Sequence, residues 1–366
     1  MEIQNRAKKD WFASRKWGMF HHFLNFSNNT WRTGFRTYRD YNERVNRFDV
    51  EQYARIVHEV NAGYVIFTMM QQERFICAPN ETFNRLTGYK TGEACSERDL
   101  VADLIEALGK YDIPLFLYFT GDGPHKDAIA GPKIGFYDRE NRMVDQRFVE
   151  NWTAVLREYA LRYGNKVHGW WLDGIFDYFG YLDHDDDYIK PYHDAIKAGN
   201  PDALIAYNNG VIQIDLKEPA YRKFYSESDT YLQRIRKIEA AALAGDPLAL
   251  KAFQRIPGNS YRYSKYEDFT AGEANAFEEY PTEQFVDGSQ WHIASFLGIC
   301  PREPGLWGAT GWNQMGCKYS AAYLKDYVTR CNQRGGVVSI DTCLFDDGHI
   351  DWGQYVILKQ LGELRK

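Results

Sequence analysis

The chain has 366 residues, enough for one large domain or two modest ones, and its 44% apolar content is ample for a core. A net charge of −6 and the lack of a basic run argue against nucleic acid as the main partner. No apolar stretch nears the roughly 20 residues that cross a bilayer, so no membrane association is expected.

Strand-like apolar runs alternate with amphipathic helical ones along most of the chain. Residues 16–22 read as a first strand. Asp49 then caps a helix through about residue 62, with Tyr53, Ile56, Val57 and Val60 spaced for one face. Residues 64–68 form a β-rich second strand, 99–111 a helix with Leu100, Leu104, Ile105 and Leu108 in register, and 114–119 a third strand. A long helix over 148–163 leads into a strand over 170–173. A helix over 188–198 and a fifth strand over 203–207 follow. The stretch from about 245 to 285 is polar and carries Tyr261, Tyr263 and Tyr266 without a clear strand period. It reads either as an excursion over one end of the fold, lining a substrate cleft, or as a surface insertion. The rhythm resumes with a helix over 321–331, a strand over 337–340 and a closing helix from Trp352. Repeated βα units imply a parallel sheet, and this many fit an α/β (β/α)₈ TIM-like barrel filling residues 1–366 as a single domain.

Within this rhythm, Val167-His168-Gly169-Trp170-Trp171-Leu172-Asp173-Gly174 carries the most information. An apolar run with two tryptophans ends in a carboxylate and a glycine, as expected of a buried strand delivering one acid to the barrel rim. Catalytic groups of α/β barrels come from those C-terminal strand ends. Asp173 either serves as a carbohydrate nucleophile or caps the next segment. The aromatic share of 16%, with 26 Tyr, 22 Phe and 10 Trp, favours sugars, whose C–H faces pair with aromatic rings.

Several segments, in order, resemble the α-L-fucosidase family of retaining glycoside hydrolases. Trp17-Gly18-Met19-Phe20-His21-His22-Phe23 is similar to its first strand, which ends in a histidine contacting the fucose. Ala62-Gly63-Tyr64-Val65-Ile66-Phe67-Thr68 is similar to "AGAKYVVLT", Arg98-Asp99-Leu100-Val101 with Leu117-Tyr118-Phe119 to "RDLV…YYS", and Trp171-Leu172-Asp173-Gly174 to "WFDG". Asn200-Pro201-Asp202 resembles "QPD", and Gly335-Gly336-Val337-Val338-Ser339-Ile340 with Asp346-Asp347-Gly348-His349-Ile350 resembles "GGNLLLNIGP…DGXI". The resemblance implies a catalytic barrel without the C-terminal β-sandwich that family members usually carry. Two departures stand out. The family's His-His-Asp-Gly-Phe is replaced by Gln71-Gln72-Glu73-Arg74-Phe75, and its "WE" segment by Trp291-His292.

The resemblance makes Asp173 the nucleophile. A retaining enzyme also needs an acid/base about 5–5.5 Å away. Glu227, at an expected strand end, and His292, whose imidazole titrates near neutrality, are the leading candidates, with Glu283 a third. The related endo-fucanases resemble this pattern with a histidine partner. His22 is an expected sugar contact, with His21 facing the other way on the same strand. Gln71, Gln72, Tyr118, Trp171 and Asn208 are candidate wall and hydrogen-bonding residues, or plain packing. Asp183-His184-Asp185-Asp186-Asp187 lacks the glycine and glutamate of a calcium loop, so no metal is expected, and no cofactor.

Six cysteines, at 77, 95, 300, 317, 331 and 343, form no C-x-x-C and are either free thiols or distant disulfide partners. The N-terminus lacks the basic start and apolar centre of a signal peptide, so the chain as it stands reads as cytoplasmic; a removed signal would leave the same appearance. The expected activity is a retaining exo-glycosidase acting on α-L-fucosides or a related, modified L-sugar, with an oligosaccharide or polysaccharide partner. The alternatives are an endo-acting hydrolase of a fucose-containing polysaccharide and a non-catalytic sugar-binding barrel. The sequence leaves oligomeric state open.

Overall fold

The structure, a computed structural model, describes residues 2–24, 38–136, 144–176, 179–181, 185–211, 218–229, 231–253, 260–299 and 311–366. In chain order its elements are α1 (Glu2–Ser14), β1 (Trp17–His21), α2 (Tyr38–Arg47), α3 (Val50–Glu59), β2 (Val65–Thr68), α4 (Glu81–Thr87), α5 (Leu100–Gly109) and β3 (Leu115–Thr120). There follow α6 (Ala130–Ile134), α7 (Gln146–Tyr163), β4 (Val167–Asp173), α8 (Lys190–Gly199), β5 (Leu204–Tyr207), α9 (Tyr231–Leu243) and α10 (Pro247–Ala252). A short hairpin, β6 (Phe285–Val286) and β7 (Ser289–Gln290), precedes β8 (His292–Phe296), α11 (Ala321–Gln333), β9 (Val337–Asp341) and α12 (Trp352–Leu361).

Seven strands form one parallel sheet in the order β5-β4-β3-β2-β1-β9-β8, curled as in a TIM-like barrel. Short polar side chains set the helix starts, Asp49 at the place the sequence suggested. Asp49 accepts from the Gln52 backbone N–H at 3.0 Å, Asp99 from Ala102 at 2.9 Å and Asp145 from Phe148 at 2.7 Å, each satisfying an orphan donor of a first turn.

The strands divide their side chains between two cores. Phe20, Ile66, Phe116, Tyr118, Trp171, Leu204 and Ala206 point into the barrel, while Val65, Phe67, Leu117, Trp170 and Leu172 point out to the helices. This is the two-residue period of a strand, hidden in the sequence because both faces are apolar. Phe12 of α1, an element the sequence reading did not foresee, plugs the N-terminal end of the interior. Its ring packs on Tyr64, Phe116, Phe269 and His292 at centroid distances of 5.0 to 5.9 Å.

The stretch read as an excursion over 245–285 is corrected in two places. Its start is helical, because Asp246 caps α10 through Leu248 and Ala249, and α9 and α10 bury Ile235, Ile238, Ala242, Ala249 and Phe253 in a separate small cluster. Its later part supplies what the sheet lacks. The backbone N–H groups of Asp268 and Phe269 donate to Ile205 O of β5, while Thr270 donates to Gln290 O of β7 and Ala274 to Ala294 O of β8. Segment 268–274 therefore lies between the two ends of the seven-stranded sheet. Among the described residues, no helix is long and apolar enough to cross a membrane.

Gly169 permits a close strand contact: a Cβ there would lie 2.3 Å from the Phe116 ring and 2.7 Å from Leu204 O. Gly169→Ala is expected to destabilise the protein by about 1–3 kcal/mol, read as a lower urea midpoint at unchanged slope.

Candidate active site

β4 is buried along nearly its whole length and ends at Asp173, which is 8% exposed. A carboxylate taken that far out of water must be met by donors. Three neighbouring elements supply them. Tyr118 on β3 donates its hydroxyl proton to Asp173 Oδ2 at 2.5 Å, and Gln71, just past β2, donates to the same oxygen at 3.2 Å. Asn208, just past β5, donates to Oδ1 at 2.7 Å. Burial pushes the Asp173 carboxyl above its usual range; the Tyr118 and Asn208 hydrogen bonds pull the other way, and the nearby Asp122 carboxylate adds to the rise.

Asn208 does a second job. The same amide nitrogen donates to Glu273 Oε2 at 2.7 Å, so its two hydrogens are divided between two carboxylates. The amide is oriented by Gly210 N–H, which donates to Asn208 Oδ1 at 3.0 Å. Glu273 reaches the cleft because Gly272 has φ +63° and sits where a Cβ would be 2.0 Å from His292 O. Only glycine fits that close passage, and the kink turns the next side chain toward the mouth.

A cleft of about 290 Å³ opens over these groups, lined by Phe20, His22, Gln71, Tyr118, Trp171 and Asp173, with Glu273, Trp312, Asn313 and Gln314 completing the wall. Trp171 stacks on Tyr118 at 5.2 Å and 22°, its indole N–H held by Ala271 O at 2.9 Å. Across the cleft His22 Nδ1 bonds the buried Asp341 Oδ2 at 2.7 Å, while Asp341 Oδ1 accepts from Asn313 N–H at 2.6 Å. Burial raises the Asp341 carboxyl, and the His22 contact opposes that rise. A histidine pinned through Nδ1 to a carboxylate has a fixed ring plane, which suits it to holding a ligand hydroxyl. His21 faces away from the cleft: it is buried against Tyr53 and Thr342, and desolvation lowers its pKa to about 3.

Asp173, His22, Gln71, Tyr118, Trp171 and Asn208 thus converge. Gln72 turns elsewhere, with φ +61° and its amide donating to Asp122 Oδ2 at 3.1 Å. The three acid/base candidates stand outside the cleft lining. His292 begins β8 at the end remote from the mouth, between Thr270 O at 2.9 Å and Ser339 Oγ at 2.7 Å, and burial lowers its pKa to about 4. Glu227 occupies an exposed turn rather than a strand end, and Glu283 is exposed ahead of β6. The residues missed were Glu273 and Asp341. Asp341 ends β9 as Asp173 ends β4, so the rule that singled out Asp173 would have found it. In the acidic loop, Asp186 pairs with Lys265 and Tyr266; residues 183 and 184 lie outside the described residues. Cys77, Cys95, Cys317, Cys331 and Cys343 are free thiols.

Paired carboxylates at the C-terminal mouth of a parallel α/β barrel, walled by aromatics, define a glycoside hydrolase. The α-L-fucosidase family model matches residues 1–274, and the chain belongs to that family. No curated protein sequence matches it. Among solved structures, an α-L-fucosidase from Bacteroides thetaiotaomicron is similar over 98% of this chain and 73% of its own, at 13% identity and TM-score 0.57. An α-L-fucosidase from Bacteroides thetaiotaomicron trapped as a covalent intermediate with 2-fluoro-fucosyl fluoride in a glutamate-to-glutamine mutant is similar over 97% of this chain and 73% of its own, at 14% identity and TM-score 0.57. An endo-fucoidan hydrolase of glycoside hydrolase family 107 is similar over 98% and 93%, at 14% identity and TM-score 0.62.

Because the Tyr118 hydrogen bond favours the ionised form of Asp173, Tyr118→Phe is expected to raise the Asp173 pKa further. For a reaction that needs the carboxylate, the acid limb of the kcat/KM profile then moves to higher pH. An unmoved limb would show that Asp173 ionisation does not control the profile.

Proposed function

We propose that the protein is a retaining exo-α-L-fucosidase that works by double displacement, with Asp173 as nucleophile and Glu273 as acid/base. The observation that carries this reading is the Asn208 amide held 2.7 Å from an oxygen of each carboxylate. Those oxygens are separated by no more than twice that distance, in keeping with the roughly 5–5.5 Å of retaining glycosidases. In the first step an Asp173 oxygen bonds to the anomeric carbon as the glycosidic bond breaks, and the Glu273 proton goes to the leaving oxygen. In the second, Glu273 takes a proton from water, which attacks the same carbon and releases Asp173. His22, steadied by Asp341, would hold a sugar hydroxyl, and Trp171 and Trp312 would meet the C–H faces of the ring. No cofactor enters either step.

The sugar is fucose or a close L-sugar relative. Gln71 stands where the family has histidine and donates to the nucleophile itself, so its contacts with a sugar hydroxyl differ in shape and charge from imidazole's. Similarity to the endo-fucoidan hydrolase, over nearly all of both chains, favours one second reading: endo cleavage of a fucose-containing polysaccharide.

The test is monosaccharide release from α-L-fucoside, α-L-galactoside and sulfated or methylated fucoside substrates. Asp173→Asn is expected to abolish release. Glu273→Gln should slow unactivated fucosides about 10²- to 10⁴-fold, and far less an aryl fucoside whose leaving group needs no proton. Full activity of either variant on all substrates would overturn the assignment, and oligosaccharide products would move it to the endo reading.

A further inference from the structure

Trp352 is the most exposed of the large apolar side chains among the described residues, at 74%. It begins α12, directly after the loop that follows β9, and so stands on the side of the barrel where β9 ends and the cleft opens. One face of its indole stacks on Tyr355 at 5.2 Å and 23°. Tyr355 is itself tied down: its hydroxyl donates to Glu59 Oε2 at 2.6 Å and accepts from Lys359 Nζ at 3.2 Å. The other face is left to solvent. A rigid, flat, exposed aromatic pair loses little conformational freedom when something lies on it.

The pair is coupled to the cleft through buried Gln354. Its amide donates to Gln314 O at 2.8 Å and to Gly316 O at 2.7 Å, and its carbonyl accepts from Cys343 N–H at 2.7 Å. Gln314 lines the cleft. Between these two bonded carbonyls sits Met315, half exposed, whose own carbonyl accepts from the N–H of half-exposed Ile299 at 3.1 Å. The partly exposed residues 314–316 are therefore tied, through Gln354, both to the cleft wall and to the start of α12.

We infer that the Trp352–Tyr355 pair is an outlying sugar-binding platform, which holds the leaving-group side of a longer glycan whose terminal residue occupies the cleft. This rests on the proposed glycosidase reading. The occupant is a carbohydrate chain, since the exposed ring face offers what a pyranose C–H face needs and the platform is tied through Gln354 to the wall of a carbohydrate-cleaving cleft.

The experiment compares wild type with Trp352→Ala and Trp352→Tyr on an aryl α-L-fucoside and on a fucose-containing polysaccharide. The indole N–H signal of Trp352, identified by its loss in the alanine variant, is followed as the polysaccharide is added. The platform predicts unchanged kcat/KM on the aryl fucoside, a roughly two- to tenfold rise in KM for the polysaccharide in Trp352→Ala, recovery in Trp352→Tyr, and a saturable indole shift. An indole signal that stays still, or equal loss on both substrates, overturns it. So does a Trp352→Ala effect that acts by breaking a self-associated form seen in sedimentation. If wild type cleaves neither substrate, the hydrolase reading falls, while the indole shift still decides the platform.

Discussion

Much of this protein is arranged around a carboxylate that has been taken out of water. Asp173 sits at the end of β4, and desolvation pushes its carboxyl pKa up. It is accommodated because donors arrive from the ends of β2, β3 and β5: Gln71, Tyr118 and Asn208. These positions are neighbours only because the strands run parallel and in register, so that Thr68 pairs with Tyr118 and Leu172 with Tyr207. A shift of one residue in any of them would turn a donor toward the helices. The sheet register and the chemistry of the site are thus one constraint.

The same reasoning explains the barrel's irregular side. A regular strand across 268–274 would alternate its side chains past the interior without the backbone approach seen at Gly272. Giving up regularity there brings Glu273 onto the amide that Asp173 already uses. The remote end of the barrel is sealed by aromatics, Phe12 against Tyr64, Phe116 and Phe269, so the cleft opens at one end of an otherwise packed interior. Such a wall keeps the local dielectric low around the carboxylates, where each hydrogen bond counts for more than it would in water.

The regular βα units were legible in the sequence because apolar runs and a cap such as Asp49 are local signals, and Asp49 does cap α3. Asp173 was legible for the same reason, as an acid closing an apolar strand. What failed was non-local. Segment 268–274 has no strand period, since its hydrogen bonds go to two strands through an irregular backbone, and Glu273 was hidden with it. His292 looked suited to proton transfer by residue type, but its position at the start of β8 gives it Thr270 and Ser339 as partners rather than the cleft. Some resemblance-bearing residues prove architectural: Arg98 donates to Val45 O and Phe48 O and pairs with Asp103, and Asp99 caps α5.

The departures from the family pattern are coherent with this geometry. Gln71, in place of the family's histidine, keeps a hydrogen-bond donor on Asp173 without a titrating group. The most direct measurement is to incubate the protein with 2-deoxy-2-fluoro-α-L-fucosyl fluoride and map the labelled peptide by mass spectrometry. The account predicts one covalent fucosyl adduct, on Asp173, that is slowly discharged with recovery of activity. Turnover of a fucoside with no adduct, or an adduct on another residue, would contradict it.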